Sequence, residues 1–263
     1  MYSGAGISRR ESHYRWGGSV IKKRFMLSAA AVIATIMSGS VERIQAQAAT
    51  DLARLDALEA ELSALEQAAE LLEANKAVRR VQRAYGYYVD KGLSDEVAEL
   101  FSANATAELG GFGVFVGKER VAELYAALLG DGLRAGQLNN HMILQGVVHV
   151  DPNGTTAKGR WRALIQLGQH GESATWSEGP YENEYIKENG VWRISKLHWY
   201  MTLSAPYAPG WHMQADPLGE PLEQLPPDLP PTEEYESYPG AYLTQFHYDN
   251  PVSGRVAGAQ AGE

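Results

Sequence analysis

Cysteine is absent from the chain, which removes thiol nucleophiles, disulfides and cysteine-ligated metals from consideration. Dense clusters of lysine and arginine are absent from the predicted domain, and 23 basic residues against 32 acidic ones leave a formal net charge of −9. A phosphate backbone finds little to hold it there, so nucleic acid is not an expected partner. His141, His149 and His198 show no H-x-x-x-H or comparable carboxylate spacing, so no zinc site is marked. A G-x-S-x-G nucleophile elbow is missing too. GGFGVFVG, residues 110–117, lacks the strand-to-helix context of a phosphate loop and reads as a turn beside a short strand. The apolar run Phe25–Met37 is too short to span a membrane as a stable helix. What is present is 263 residues, 44% of them hydrophobic, enough for one ordinary globular domain with extensions.

Residues 1–48 have the layout of a leader. Lys22-Lys23-Arg24 precedes the apolar run, and Ala46-Gln47-Ala48 follows it as an A-x-A site, so a signal peptide and a periplasmic or secreted location are expected. Arg9-Arg10 lies too far upstream of the run to count as a twin-arginine signal. The alternative is a cytoplasmic protein with a disordered N-terminal extension. Residues 49–72 follow with Leu55, Leu58, Leu62, Leu65, Ala69 and Leu72 at alternating spacings of three and four, the a/d pattern of a coiled coil. This predicts a homo-oligomer, dimer or trimer, or else an amphipathic helix packed on its own domain.

Residues 73–204 carry the domain. A second helix from Glu73 places Val78, Val81, Tyr85 and Tyr88 on one face and stops at Gly92. Ser94 is placed to cap a short helix, Asp95–Phe101. A strand at Thr106–Leu109, a helix at Lys118–Leu129, and strands at His141–Val150 and Thr156–Gln169 follow. The last element is a hairpin, Gly179–Met201, folded about Asn189-Gly190, a pair that tolerates positive φ at both positions. Regular alternation then sets Tyr181 opposite His198, Asn183 opposite Lys196 and Tyr185 opposite Ile194, with all six, Trp192 and Tyr200 on one aromatic face. Helices first and an antiparallel sheet after them indicate an α+β fold, with helices over one face of a curved sheet. Residues 205–263 hold ten of the twelve prolines beside many acidic and aromatic residues. They are expected to form an extended arm across the domain or a neighbouring subunit, lidding the pocket, or else a disordered tail.

The order of elements, together with AVRRVQRAYGYYVDKGLSDEVAELFSANA, FVGKERV, NNHMILQGVVHVD and NGVWRI, resembles the SnoaL-like branch of the nuclear transport factor 2-like superfamily. The resemblance covers roughly Leu72 to Ser204. It implies a cone-shaped α+β barrel that takes a small molecule in its mouth and works by acid–base groups, as scytalone dehydratase and ketosteroid isomerase relatives do, without metal or organic cofactor. Leader, leucine helix and Pro-rich arm together look most like the sphingomonad-type diarylpropane lyases. Those are proposed to remove formaldehyde from a lignin-derived diol and leave a stilbene.

On that likeness His141 stands where the family often places a cavity histidine, with Asn139 and Asn140 beside it to orient it. Asp90 falls loosely at the dehydratase carboxylate position. Tyr88 and His198 are the candidate bases for a phenolic proton, and His141 the acid that assists loss of a benzylic hydroxyl. Tyr85, Tyr181 and Asn183 would line the pocket, and Lys196 or Arg162 would hold the phenolate. The expected partner is a small aromatic substrate. Two other readings stay open: a dehydratase, cyclase or isomerase of polyketide-like substrates, and a non-catalytic binding or assembly module.

Overall fold

The computed structural model describes residues 18–258, with side chains from residue 31 onward; Arg9-Arg10 and the basic triplet's side chains lie outside this range. Helix α1 runs from Gly18 to Asp90, one helix where two were expected. Its Ala-, Leu- and Glu-rich composition suits uninterrupted helix. The chain divides into two compact units, Met1–Leu65 and Glu66–Glu263. In the first, Leu55, Leu58, Leu62 and Leu65 are each more than half exposed. Among the described residues no helix is long and apolar enough to cross a membrane.

In the second unit α1 buries Ala74, Val78, Tyr85 and Val89, one stripe at helical spacing. Gly92, at φ +67°, turns the chain into α2 (Ser94–Glu99). Leu93 occupies the N-cap position and no side chain caps the helix, so the capping role expected of Ser94 is not filled. Strands β1 (Phe101–Leu109) and β2 (Val114–Val116), helix α3 (Lys118–Leu129), and strands β3 (Gln137–Val150), β4 (Thr156–Gln169), β5 (Ser173–Glu188), β6 (Val191–Trp199) and β7 (Leu203–Pro206) complete it. The expected strand at residues 106–109 begins five residues earlier, and β7 was not foreseen.

The sheet runs β2-β1-β6-β5-β4-β3, with β7 paired to β5. It is mixed rather than purely antiparallel, because β1 lies parallel to β6. Its inner face, built by Trp161, Ala163, Ile165, Tyr181, Tyr185, Ile194 and Leu197, packs against Val78 and Tyr85 of α1 and Val121, Leu124 and Tyr125 of α3. Helices over one face of a curved sheet make this a nuclear transport factor 2-like α+β fold.

Two close approaches shape the site. A Cβ on Gly86 of α1 would lie 2.8 Å from Ile143 and 3.1 Å from the His141 carbonyl, so glycine lets α1 settle directly against β3. A β-bulge separates Leu144 from Val147, and there a Cβ on Gly146 would sit 2.0 Å from the Trp161 ring. Glycine leaves room for that indole in the core.

The β5–β6 hairpin turns at Asn189 and Gly190, with φ of +50° and +81°, and pairs Tyr185 with Ile194 as expected. Beyond that point the register differs. Glu184 pairs with Lys196 and Tyr181 with Trp199, so Ser195 is an extra residue in β6. One inserted residue exchanges faces for everything after it. Leu197 and Trp199 turn inward, and Lys196, His198 and Tyr200 turn to the outer face. The apolar positions Trp192, Ile194, Leu197 and Trp199 carry the cause, since only a bulge buries Leu197 with the other three.

The arm, residues 205–258, lies on that outer face. Thr232 donates from its backbone N–H and its hydroxyl to Glu108, each at 2.8 Å. Tyr235 stacks with Tyr242 at 4.6 Å and packs on Tyr200. His247 pairs with Glu182 at 2.7 Å and with His149 at 3.0 Å, while the Arg160 guanidinium sits 3.9 Å over Phe246.

Candidate functional site

A chain of four buried polar groups crosses the inner face. The hydroxyls of Tyr125 on α3 and Tyr85 on α1 are 2.9 Å apart, Tyr85 and Tyr181 hydroxyls 3.1 Å, and the Tyr181 hydroxyl is 2.9 Å from His141 Nε2. Tyr85 stands edge-on to Tyr125, Tyr181 and His141, with ring centroids 5.8 to 5.9 Å apart. These rings fill this level of the cone: Tyr85, Tyr125 and Tyr181 are at most 2% exposed. The expected hollow shared by Tyr181 and His198 is therefore not there.

Space opens beside His141 instead. A cleft of about 380 Å³ lies along β3, lined by Arg83, Gly86, Tyr87 and Asp90 of α1 and by residues 140–144. His141 itself is 8% exposed. Its side chain is held through Nε2 by the Tyr181 hydroxyl, and Nδ1 makes no hydrogen bond among the described residues. β3 is an edge strand, and the Asp90 carboxylate accepts the otherwise unpaired His141 backbone N–H. That contact and the Gly86 approach anchor the histidine between helix and sheet.

Burial lowers the His141 pKa to about 4, because the charged ring loses the water that would solvate it. The imidazole is neutral at pH 7 and offers a lone pair. Burial also holds Tyr181 and Tyr125 well above the ordinary phenol value, with neighbouring hydroxyls adding to the rise, so the chain is a string of neutral phenols. With Nδ1 as the accepting nitrogen, Nε2 carries the hydrogen and donates to Tyr181.

Of the residues singled out in the sequence, Asp90, Tyr85, Asn139, Tyr181 and His141 come together here. Asn139 donates to the Val89 carbonyl at 2.9 Å, tying β3 to α1 rather than orienting the histidine. Asn140 faces the other way and bonds Gln166. Asn183 donates to Gln82 of α1 at 2.9 Å and accepts from the His198 backbone at 3.1 Å, core bonds that tie the sheet to the helix. Tyr88 is half-buried against the core and stands outside the histidine chain. Arg162 lies on the outer face with Gln145 and Glu178.

His198 and Lys196 are also on the outer face, the bulge at Ser195 having turned them there. His198 stacks 3.7 Å from Tyr200, and its Nδ1 is 3.6 Å from Glu108. Burial first, then the Lys196 charge, lowers its pKa to about 3. It cannot share a substrate with His141 through a sheet. Tyr125, Arg83 and Tyr87 were not foreseen. Tyr125 has the spacing of an ordinary core residue on α3, and Arg83 and Tyr87 read as solvent-facing helix positions. Among the described residues no group of three His, Asp or Glu side chains is placed to hold a metal.

The family comparison agrees with this architecture. Residues 70–198 match the SnoaL-like domain. No curated protein matches the chain. Among solved structures, LinA shares 19% identity over 54% of this chain and 95% of its own, with a TM-score of 0.48. The LinA-type3 hexachlorocyclohexane dehydrochlorinase of Novosphingobium barchaimii LL02 shares 21% over 53% and 93%, TM-score 0.46. A nuclear transport factor 2-like protein with a cystatin-like fold from Novosphingobium aromaticivorans shares 20% over 53% and 89%, TM-score 0.42. None of the three speaks to the reaction of this SnoaL-like domain.

Proposed function

We propose that the protein is a cofactor-independent lyase that converts a para-hydroxyaryl diarylpropane diol to a stilbene, with loss of water and formaldehyde. The observation that carries this reading is a buried, neutral His141 that lines a cleft, with its Nε2 held by a buried phenol chain. His141 takes the phenolic proton and returns it to the benzylic hydroxyl, which leaves as water; the product is a quinone methide. Neutral again, His141 removes the proton of the CH₂OH group. The C–C bond to that carbon breaks, formaldehyde departs, and the electron pair forms the new double bond as the ring regains aromaticity as a phenolate. The proton on His141 restores the phenol. Atoms and charge balance with no oxidant or metal. Arg83 at the cleft edge offers the cation for the phenolate, and Tyr181 anchors the imidazolium as it forms.

Incubating the purified protein with such a diol is expected to give stilbene absorbance and formaldehyde in equal amounts. Water loss without formaldehyde would assign a dehydratase instead, and no product from any para-hydroxyaryl diol would remove the lyase reading.

The same proposal includes self-association through α1. Leu55, Leu58, Leu62 and Leu65 are exposed at a and d positions, a seam complementary to its own copy. Arg54 at g and Glu59 at the following e have opposite charge, as a parallel pair requires. Light scattering is expected to show an oligomer that Leu58→Lys with Leu62→Lys reduces to a monomer; a wild-type monomer at micromolar concentration refutes it.

A further inference from the structure

The end of the arm is fastened to the sheet by a pair of histidines. His149 of β3 and His247 of the arm bring Nδ1 and Nε2 to 3.0 Å, with ring centroids 5.2 Å apart. Two ring nitrogens at that distance share one hydrogen, since two lone pairs repel and two N–H groups collide. The other nitrogen of His247, Nδ1, lies 2.7 Å from Glu182 Oε2. An ionised carboxylate only accepts, so that nitrogen carries a hydrogen. Nε2 then meets His149 either as an acceptor or, in the imidazolium, as a donor. The pair closes with no excess proton or with one, and it has no closed form with two.

Charged groups of both signs surround the pair. On β4, Arg160 binds Glu182 and donates to the Gln245 carbonyl at 3.2 Å, while Lys158 stands opposite His149 in the register. On β5, Glu184 stands opposite Lys158. Asp151 follows His149 after β3 with its carboxylate on the Thr156 hydroxyl, and Asp249 follows His247 on the arm. Of the residue types in this cluster only histidine ordinarily changes charge between pH 5 and 8. Beyond His247 the arm has little cover, Val252 being 96% and Val256 67% exposed.

We propose that residues 245–258 form an acid-released strap, in which a second proton entering the His149–His247 pair parts the two rings and lets the segment leave the sheet. The open segment binds one proton more than the closed one, so a fall in pH favours opening. Burial first, then the charge of His247, lowers the pKa of His149, the direction expected of a ring that resists a second proton while the pair is closed. Opening uncovers Phe246 and the Arg160 guanidinium stacked 3.9 Å over it. The strap lies on the face of the sheet opposite His141, so it does not depend on the lyase reading.

The test uses the full chain, which has no cysteine of its own, with nitroxide labels on Val252→Cys in the strap and Val191→Cys in β6. Both positions are exposed. Pulsed electron spin resonance at pH 7.5 is expected to give one narrow distance. At pH 5.0 a broad, longer distribution joins it, with the ratio of open to closed strap raised about 30-fold, the factor for one proton over the interval below the ordinary histidine value. In this labelled background His149→Asn offers a donor and an acceptor where Nδ1 was and does not titrate, so it is expected to keep the narrow distance at pH 5.0. His149→Lys, charged throughout, is expected to open the strap already at pH 7.5. His149 is exposed, and both variants are expected to fold. The same distribution at both pH values overturns the proposal, as does acid broadening in His149→Asn equal to that of the unsubstituted pair, or a closed strap in His149→Lys.

Discussion

His141→Asn is expected to lower kcat on a diarylpropane diol by about 10²- to 10⁴-fold, the usual worth of a positioned proton-transfer group, while His198→Gln leaves kcat near the wild-type value. The two histidines are equivalent candidates by sequence, and both are buried and neutral. The extra residue at Ser195 separates them: His141 looks toward the helices and a cleft, whereas His198 lies beneath the arm, against Tyr200 and Glu108. Tyr181→Phe keeps the ring packing and removes the oxygen that receives the Nε2 hydrogen. It is expected to fall between the other two variants and to lower the apparent pKa of His141 further, because the imidazolium loses its acceptor. In the wild type kcat/KM is expected to stay level from pH 7 downward and to fall only as the pH approaches about 4, where His141 becomes protonated and can no longer accept. A folded His198→Gln protein as inactive as His141→Asn would place the chemistry on the other face of the sheet.

The difference between those histidines shows what the sequence could and could not convey. Helix α3 and strand β4 have the expected bounds, Lys118–Leu129 and Thr156–Gln169, because amphipathic spacing and turn residues are local signals. Asn189-Gly190 likewise fixes its own turn. The face of His198 depends on a single inserted residue, and regular alternation assigns it wrongly. The sign was present: Ile194 and Leu197 are three apart, a spacing that no unbroken strand can bury on one side. Taking Leu197 as the inward residue would have turned His198 outward without any structure. The parallel pairing of β1 with β6 has no comparable sign, since Ala107 and Leu197 are brought together only by the path of the chain between them. Tyr125 is similar. Its hydroxyl matters because α3 crosses the sheet beside Tyr85, and nothing within Lys118–Leu129 distinguishes it from a core ring.

Acidification is expected to cost the domain about 3 kcal/mol through His141 alone, from the gap between its folded pKa of about 4 and the ordinary histidine value of 6.5. The sign follows from proton uptake. Above 6.5 neither state binds the proton and the contribution of the neutral ring is fully present. Between 6.5 and 4 the unfolded chain is protonated and the folded one is not, so stability falls as the pH falls; below 4 both bind it and the loss levels off. His198, lowered to about 3 by burial first and then by the Lys196 charge, adds a loss of the same sign. Urea midpoints measured from pH 7.5 to 4 are expected to decline along this curve. In His141→Asn, which has nothing to titrate at that position, the decline is expected to shrink by about the 3 kcal/mol assigned above, whereas Tyr87→Phe, an exposed neighbour, leaves it unchanged. A His141→Asn profile parallel to the wild type would mean that His141 is as easily protonated in the folded state as in the unfolded one. The buried, base-competent imidazole on which the chemistry depends would then not exist.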